Sequence, residues 1–420
     1  MQTIVNSNSW EDFESFQRGS TKQEKGRAFE EVCRLFLLTD PLFRSRLSDV
    51  WHHASVPQDV VDELGLQKPE IGVDLVAKTK SGSYWAIQCK YHQNSSENVT
   101  YDELSTFFSI TERNQTFSKL SHRIVCTSAN DISRRVGQAH SEKLAFLTSH
   151  DFAQLGQAGF DSFRAELAGK IQVPKPFEPL PHQRFAIDKA TRYFFDGAKN
   201  RGKLIHPCGS GKSLTAYWIA QNLGAQCVLI AVPSLSLVRQ TLTAWARETI
   251  ACGSEIDWLA VCSDETVSNS DDPALQKADL GIEVTTNVAD VAQFLNLVSK
   301  NLKVVVTTYQ SGRIVSAAAR EADFSFDLGI FDEAHKTVGR RDKAFAELLQ
   351  EKNVSIARRI FMTATEREFK GDSADILSMH DREIYGDVID FLSFKAALEQ
   401  IPPILCDYKV VSVIVTKAEI

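Results

Sequence analysis

The sequence predicts an α/β chain made of two unlike parts, a smaller mixed α/β unit followed by a parallel sheet with alternating helices. Three observations predict it. Beyond residue 181, short apolar runs recur between helical stretches, the pattern of strands buried on both faces. Before residue 171 the order is instead helix, hairpin, helix and strand. Between them "IQVPKPFEPLP", Ile171–Pro181, places four prolines in eleven residues, which precludes both a regular helix and a central strand. The expected division is 1–165, a proline-rich linker 166–180, a second domain 181–405, and 406–420 as the opening of a further unit.

Bulk properties agree with this division. A chain of 420 residues exceeds one ordinary core at roughly 100–200 residues per domain. The net charge is −7, so no global basic field announces a nucleic-acid partner, and any such contact must use local grooves. The eight cysteines never form CxxC and no histidine cluster accompanies them, so reduced thiols and no structural zinc are expected. The amino terminus has no apolar core of signal-peptide length, and no run approaches the ~18 apolar residues of a membrane span. A soluble, cytoplasmic protein is expected.

Taken in order, "STKQEKGRAFEEVCRLFLLTD" predicts a helix opened by a Thr21–Glu24 capping box. Glu31 has Arg27 and Arg34 at helical spacing and is expected to face solvent in ion pairs. Glu30 lies on the stripe of Gly26, Cys33 and Leu37 and is the candidate functional acid, although the sequence alone does not decide between the two. "IGVDLVAKTKSGSYWAIQCKYH" then predicts a hairpin. A three-residue loop Lys80-Ser81-Gly82, with Gly82 left-handed, pairs Thr79 with Ser83 and sets Asp74 opposite Gln88. Period two puts Ala86, Gln88, Lys90 and His92 on one face and Trp85, Ile87 and Cys89 on the other. Asp74 and Gln88 offer hard oxygen ligands for Mg2+, and Lys90 beside them can orient or deprotonate a water. That set suits metal-assisted phosphodiester hydrolysis. His92 is read as a bystander and Cys89 as a small packing group. A helix from about Tyr101 and a strand at His122–Ser128 follow.

Past the linker, strands are expected at Lys203–Ile205, Val228–Val232, Trp258–Cys262, Val304–Thr308, Leu328–Phe331 and Ile360–Thr363. The first runs into a helix through "HPCGSGKS". Gly209, Ser210 and Gly211 let backbone N–H groups close around phosphate oxygens, Lys212 reaches the β/γ-phosphates of ATP, and the Ser213 hydroxyl ligates Mg2+. His206 stands where the general pattern has its first glycine. After another apolar run, "FDEAH" supplies Asp332 to hold the Mg2+ and Glu333 to orient an attacking water. "FMTATER" places Thr363 and Thr365 in a polar turn after a third strand.

This order of motifs, over roughly Leu180–Tyr408, resembles the first motor domain of superfamily 2 helicases and translocases of the DEAH-box kind. The resemblance implies a RecA-like parallel-sheet P-loop NTPase, with Gln183 of "PHQRFAI" reading adenine and Thr363 and Thr365 coupling nucleotide state to movement. It also implies nucleic-acid contacts from "VPSLSLVRQ", with Pro233, Ser234 and Arg239, and from "TTYQS", with Thr307, Thr308 and Gln310. For each hydroxyl the competing reading is a helix cap or turn residue. Glu30, Asp74, Gln88 and Lys90 match in order the Mrr-like branch of the PD-(D/E)xK restriction-endonuclease fold, over roughly Gly26–Ser128. That resemblance implies a restriction-endonuclease-like αβ nuclease domain.

Together the two domains resemble the amino-terminal part of single-polypeptide, ATP-dependent restriction-modification enzymes of the Type ISP group. The implied partner is double-stranded DNA. The resemblance also implies a second motor core, a coupler, an adenine methyltransferase and a target-recognition domain elsewhere in the polypeptide, so that these 420 residues are expected to bind ATP but to hydrolyse it poorly alone. The stretch "EIYGDVIDFLSFKAALEQ" looks like the passage between two motor cores. Two alternatives stay open: a stand-alone helicase-nuclease of repair or phage defence, and a nucleic-acid remodeller whose nuclease fold is inactive.

Overall fold

The computed structural model describes residues 2–66, 72–112, 119–133, 135–136, 143–197, 199–263, 277–340, 344–368 and 376–406. Apart from Cys406, the expected opening of a further unit at 406–420 lies outside the described residues.

The first sheet contains β1 (Leu47–His52), β2 (Leu75–Thr79), β3 (Tyr84–Lys90), β4 (Leu120–Thr127) and β5 (Leu144–Leu147) in that spatial order. The β1–β2–β3 meander is antiparallel, whereas β3, β4 and β5 are parallel. The hairpin has the expected register: Leu75 faces Ile87, the Thr79 N–H donates to the Ser83 carbonyl at 2.8 Å, and Gly82 has φ +89°. The helix Lys22–Thr39 carries the Thr21–Glu24 capping box and buries Phe29, Val32, Cys33 and Leu37. Strand β1 has no strong sequence signal, yet it packs along this helix.

The second sheet is parallel throughout, built from β6 (Arg201–Ile205), β7 (Cys227–Val232), β8 (Ile256–Val261), β9 (Val284–Thr285), β10 (Leu302–Thr308), β11 (Ser325–Phe331), β12 (Ser355–Thr363) and β13 (Asp387–Phe391). Its order is β9-β8-β10-β7-β11-β12-β6-β13. All six expected strands are present. Within the stretch read as a passage between cores, Asp387–Phe391 forms β13, the edge strand paired to β6. Gly386 permits that approach: it has φ +72°, and a Cβ there would strike the Arg201 main chain.

The two sheets are not independent bodies. One apolar core contains Leu37, Phe43 and Trp85 from the first part together with Trp245, Trp258 and Leu280 from the second. Polar contacts border it: Trp258 Nε1 donates to Ser45 Oγ at 2.8 Å, and the Arg46 guanidinium lies 4.6 Å above the Trp258 ring. Arg46 also meets Glu283 at 3.3 Å. The extended linker is pinned where the Phe177 N–H donates to the buried Glu248 carboxylate at 2.9 Å and Arg247 stacks on the Phe177 ring. Among the described residues no helix is long and apolar enough to cross a membrane.

Candidate active sites

At the carboxyl end of β6 the chain turns through Gly209 (φ +83°) and Gly211 (φ +77°) into the helix Lys212–Asn222. Left-handed glycines aim successive N–H groups into one concavity at a helix N-terminus, a cradle for an anion. Lys212 Nζ lies over this loop, 3.3 Å from the His206 carbonyl and 3.5 Å from Glu333 Oε1. Ser213 Oγ is buried without a hydrogen-bond partner and shares a cavity of ≈10 Å³ with Asp332. The orphaned hydroxyl and the nearby carboxylate are hard oxygen donors of the kind Mg2+ takes, and the rest of that cavity is largely apolar, with Ile230, Trp245, Ile330 and Met362. Burial pushes the Asp332 carboxyl up to about 6, with the Lys212 charge opposing and Glu333 adding to the rise. Buried Gln183 accepts the Leu180 N–H at 2.8 Å and donates to the Gly211 carbonyl at 3.3 Å. It braces the phosphate loop.

Sequence reasoning passed over His335. Its Nδ1 is 3.3 Å from Glu333 Oε2 and 3.0 Å from Thr363 Oγ1, so it links the Glu333 carboxylate to the turn after β12. Thr363 Oγ1 in turn donates to the Thr365 carbonyl at 2.8 Å. The hydrogen bond from His335, more than burial, sets the Glu333 carboxyl, which is held below its ordinary range. Glu333 itself has φ +48°, a left-handed position unusual for a side chain this long. The fourth letter of "DEAH" was the signal that could have found His335.

The expected nucleic-acid residues divide. Pro233 and Ser234 sit half-buried where the helix Leu235–Ala251 begins, and Ser234 makes no side-chain cap. Thr307 and Thr308 are fully buried in β10, and their hydroxyls bond to the Thr308 carbonyl and to Ser311. They cannot touch a strand on the surface, because β10 is a central strand covered on both sides. Arg239, partly exposed, forms a 2.5 Å ion pair with Asp151 of the first part. The linear sequence gave no hint that the two parts meet there. Gln310 is partly buried, and its Oε1 has no hydrogen-bond partner.

In the first sheet, Asp74 accepts hydrogen bonds from Gln88 Nε2 and from the Cys89 N–H. Glu30, half-buried on the helix Lys22–Thr39, has its carboxyl raised to about 6 by burial first and the Asp74 charge second, while His52, Arg27 and Lys90 pull the other way. Glu30, Asp74, Gln88 and Lys90 therefore share one electrostatic neighbourhood. His92 is tied into structure through Ser128, Glu97 and Glu103.

Glu31 corrects the sequence reading. It is buried, with Arg34 Nη2 at 2.7 Å and His52 Nε2 at 2.6 Å, because the unforeseen β1 covers that side of the helix. Burial alone would raise its carboxyl, but Arg34 and then His52 outweigh burial and hold it down to about 2. This contribution to stability is complete above the unfolded value of ~4.3 and is lost as the pH falls toward about 2. Glu31→Gln should therefore destabilise the fold by about 1–3 kcal/mol at neutral pH, measured by denaturant unfolding. Glu30→Gln should instead raise stability at neutral pH, because it removes a charge that burial and Asp74 disfavour in the folded state.

Three cysteines distant in sequence meet behind β3. Cys33, Cys89 and Cys126 have sulfurs within 4.8 Å of one another. Burial raises the Cys33 and Cys89 thiols well above their ordinary value, which keeps them neutral and suits packing in the core they share with Phe29 and Phe152.

Two restriction-enzyme family models match the chain, one on each side of the linker. The family described as "Restriction endonuclease" matches residues 38–169, and "Type III restriction enzyme, res subunit" matches 176–368. The African swine fever virus protein "Probable helicase A859L" (isolate Tick/South Africa/Pretoriuskop Pr4/1996) is 35% identical over 191 residues, 45% of this chain and 19% of the viral protein. Among solved structures, "ATP-dependent Type ISP restriction-modification enzyme LlaBIII bound to DNA" matches with TM-score 0.74 and 26% identity, covering 93% of this chain and 25% of that one. A nuclease-deletion mutant of the Type ISP enzyme LlaGI, in complex with a DNA substrate mimic, matches with TM-score 0.42 and 31% identity over 53% of this chain and 20% of its own. The chain thus spans about a quarter or less of the length of these proteins. It carries a restriction-endonuclease domain followed by a RecA-like helicase domain of restriction-enzyme type.

Proposed function

We propose that a chain joining a restriction-endonuclease domain to a helicase domain of restriction enzymes is the nuclease and first motor core of a Type ISP-like, ATP-dependent restriction-modification enzyme. The observation that carries this reading is the presence of two separate built sites in one packed body: Glu30, Asp74, Gln88 and Lys90 on the first sheet, and the phosphate loop with Asp332 and Glu333 on the second. The comparison with the Type ISP enzyme over nearly the whole chain supports the combination.

In this reading the Gly209 and Gly211 turn, together with Ser210, cradles the ATP phosphates, and Lys212 reaches the terminal ones. Ser213 and Asp332 hold Mg2+, which when bound neutralises charge on the β- and γ-phosphates. Glu333 orients the attacking water, kept ionised by His335. Thr363 reports the state of that site to the turn ending in Thr365, and Gln183 reads adenine from its position against the loop. Pro233, Ser234 and Gln310 face duplex DNA, where contacts to phosphate position the protein without reading sequence. In the nuclease, Asp74 and the Gln88 carbonyl oxygen hold a second Mg2+, Glu30 completes the acidic set, and Lys90 aligns the water. Movement along duplex DNA delivers this nuclease to the cleavage point, in a prokaryotic cytoplasm.

The test is Mg2+-dependent cleavage of linear duplex DNA, with and without ATP, by the product of the complete reading frame. Cleavage that needs ATP supports the reading, and ATP-independent cleavage at the same rate sinks it. An adenine methyltransferase in that reading frame supports the Type ISP assignment, whereas its absence leaves a stand-alone helicase-nuclease.

A further inference from the structure

The residue that breaks the phosphate-loop pattern is held through both its side chain and its main chain. His206 stands where the general pattern has glycine, and a glycine could make none of its side-chain contacts. Its Nε2 lies 2.8 Å from Asp390 Oδ2, with the two residues only 2% and 5% exposed. The other Asp390 oxygen accepts from Lys189 Nζ at 2.9 Å. Lys189 belongs to the helix Pro181–Phe195, which also carries Gln183 against the loop. The main chain of His206 is equally committed: its N–H donates to the Thr363 carbonyl at 2.9 Å, and its carbonyl accepts from Lys212 Nζ at 3.3 Å. One residue thus joins the nucleotide lysine, the Thr363 turn and edge strand β13.

We propose that His206, through its buried bond to Asp390, is a positioning residue that fixes the phosphate loop and Lys212 against β13, so that β13 governs the alignment of the lysine with the transferred phosphate. The inference rests on the ATPase reading above. A side chain buried to this degree with a charge-assisted partner is held in one geometry, and it passes that restraint to its own carbonyl. Gly386 supplies the close approach of β13 to β6 that brings Asp390 within reach. Misplacing Lys212 by a fraction of an ångström costs little ground-state affinity, because ATP makes many other contacts. It costs rate, because the transferred phosphate gains charge only in the transition state.

The experiment compares steady-state ATP hydrolysis, with linear duplex DNA present, for the complete polypeptide and its variants His206→Gly, His206→Gln, Asp390→Ala and the double variant His206→Gly/Asp390→Ala. Expected is a fall in kcat of about 10–100-fold for His206→Gly and for Asp390→Ala, with KM for ATP changed less than about 3-fold. The double variant should be no worse than Asp390→Ala alone, because the His206–Asp390 bond is already lost there together with the Lys189 contact. His206→Gln, whose amide can still donate to Asp390, should recover most of the rate. Unchanged kcat in His206→Gly, strictly additive effects, or no recovery by His206→Gln when thermal melting shows all variants folded would each overturn the proposal. Lys212→Ala separates the two levels. If it leaves ATP hydrolysis intact, the ATPase reading itself fails. If it abolishes hydrolysis while His206→Gly does not alter it, only the positioning role fails.

Discussion

Lys212→Ala should lower DNA-dependent ATP hydrolysis by at least about 100-fold, the cost of removing one preorganised charge from a developing anionic transition state. ATP-dependent DNA cleavage should fall with it, while binding to duplex DNA stays within about 2-fold because the Ser234 end of the long helix is untouched. The geometry predicts a second consequence. Lys212 sits 3.5 Å from Glu333 Oε1, and its charge draws down the carboxyls of both Asp332 and Glu333. Removing it leaves two adjacent acids in a buried site with one cation fewer, so Asp332 should rise further from about 6 when the site holds no metal. Phosphate-release kinetics, cleavage of a linear duplex and filter binding on the same preparation check the three statements. Retention of a tenth or more of the ATP-dependent cleavage would refute the motor assignment.

Six of the eight strands of the parallel sheet were legible because each is a short apolar run buried on both sides, whereas the two edge strands β9 and β13 were not. The hairpin was legible because Gly82 fixes the loop, and a fixed loop fixes the register that sets Asp74 against Gln88. Strand β1 was not, since "LSDVWH" mixes polar and apolar residues and earns its place only by lying against the helix Lys22–Thr39 and β2. Its absence from the sequence reading is what misplaced Glu31. Helical spacing correctly identified Arg34 as a partner, but His52 arrives from another element and turns an apparent surface ion pair into a buried one. Arg239 shows the same limit at larger range. Its motif context points to DNA, and its partner Asp151 belongs to a domain whose docking no local pattern encodes.

The nuclease site yields the second large effect. Asp74→Ala and Lys90→Ala should each reduce Mg2+-dependent cleavage by at least about 100-fold, more than the 10–100-fold typical of losing a group one shell further out. ATP hydrolysis should continue, because Asp74 and Lys90 lie on the first sheet and the phosphate loop on the second. Asp74→Ala carries a structural cost that Lys90→Ala does not, since Asp74 accepts from both Gln88 and the Cys89 main chain. Lys90→Ala is therefore the cleaner test, and cleavage by it at parental rate would remove the nuclease assignment. Gln88→Glu probes the same site in the opposite direction. It replaces a donor to Asp74 with a second carboxylate, so the metal-free site becomes strained by like charges and Glu30, already raised to about 6, should rise further. With a cation present the added charge is attractive instead. Metal titration of Gln88→Glu should consequently show tighter binding than the parent at neutral pH. Weaker or equal binding would mean that the amide at Gln88 orients Asp74 rather than ligating metal.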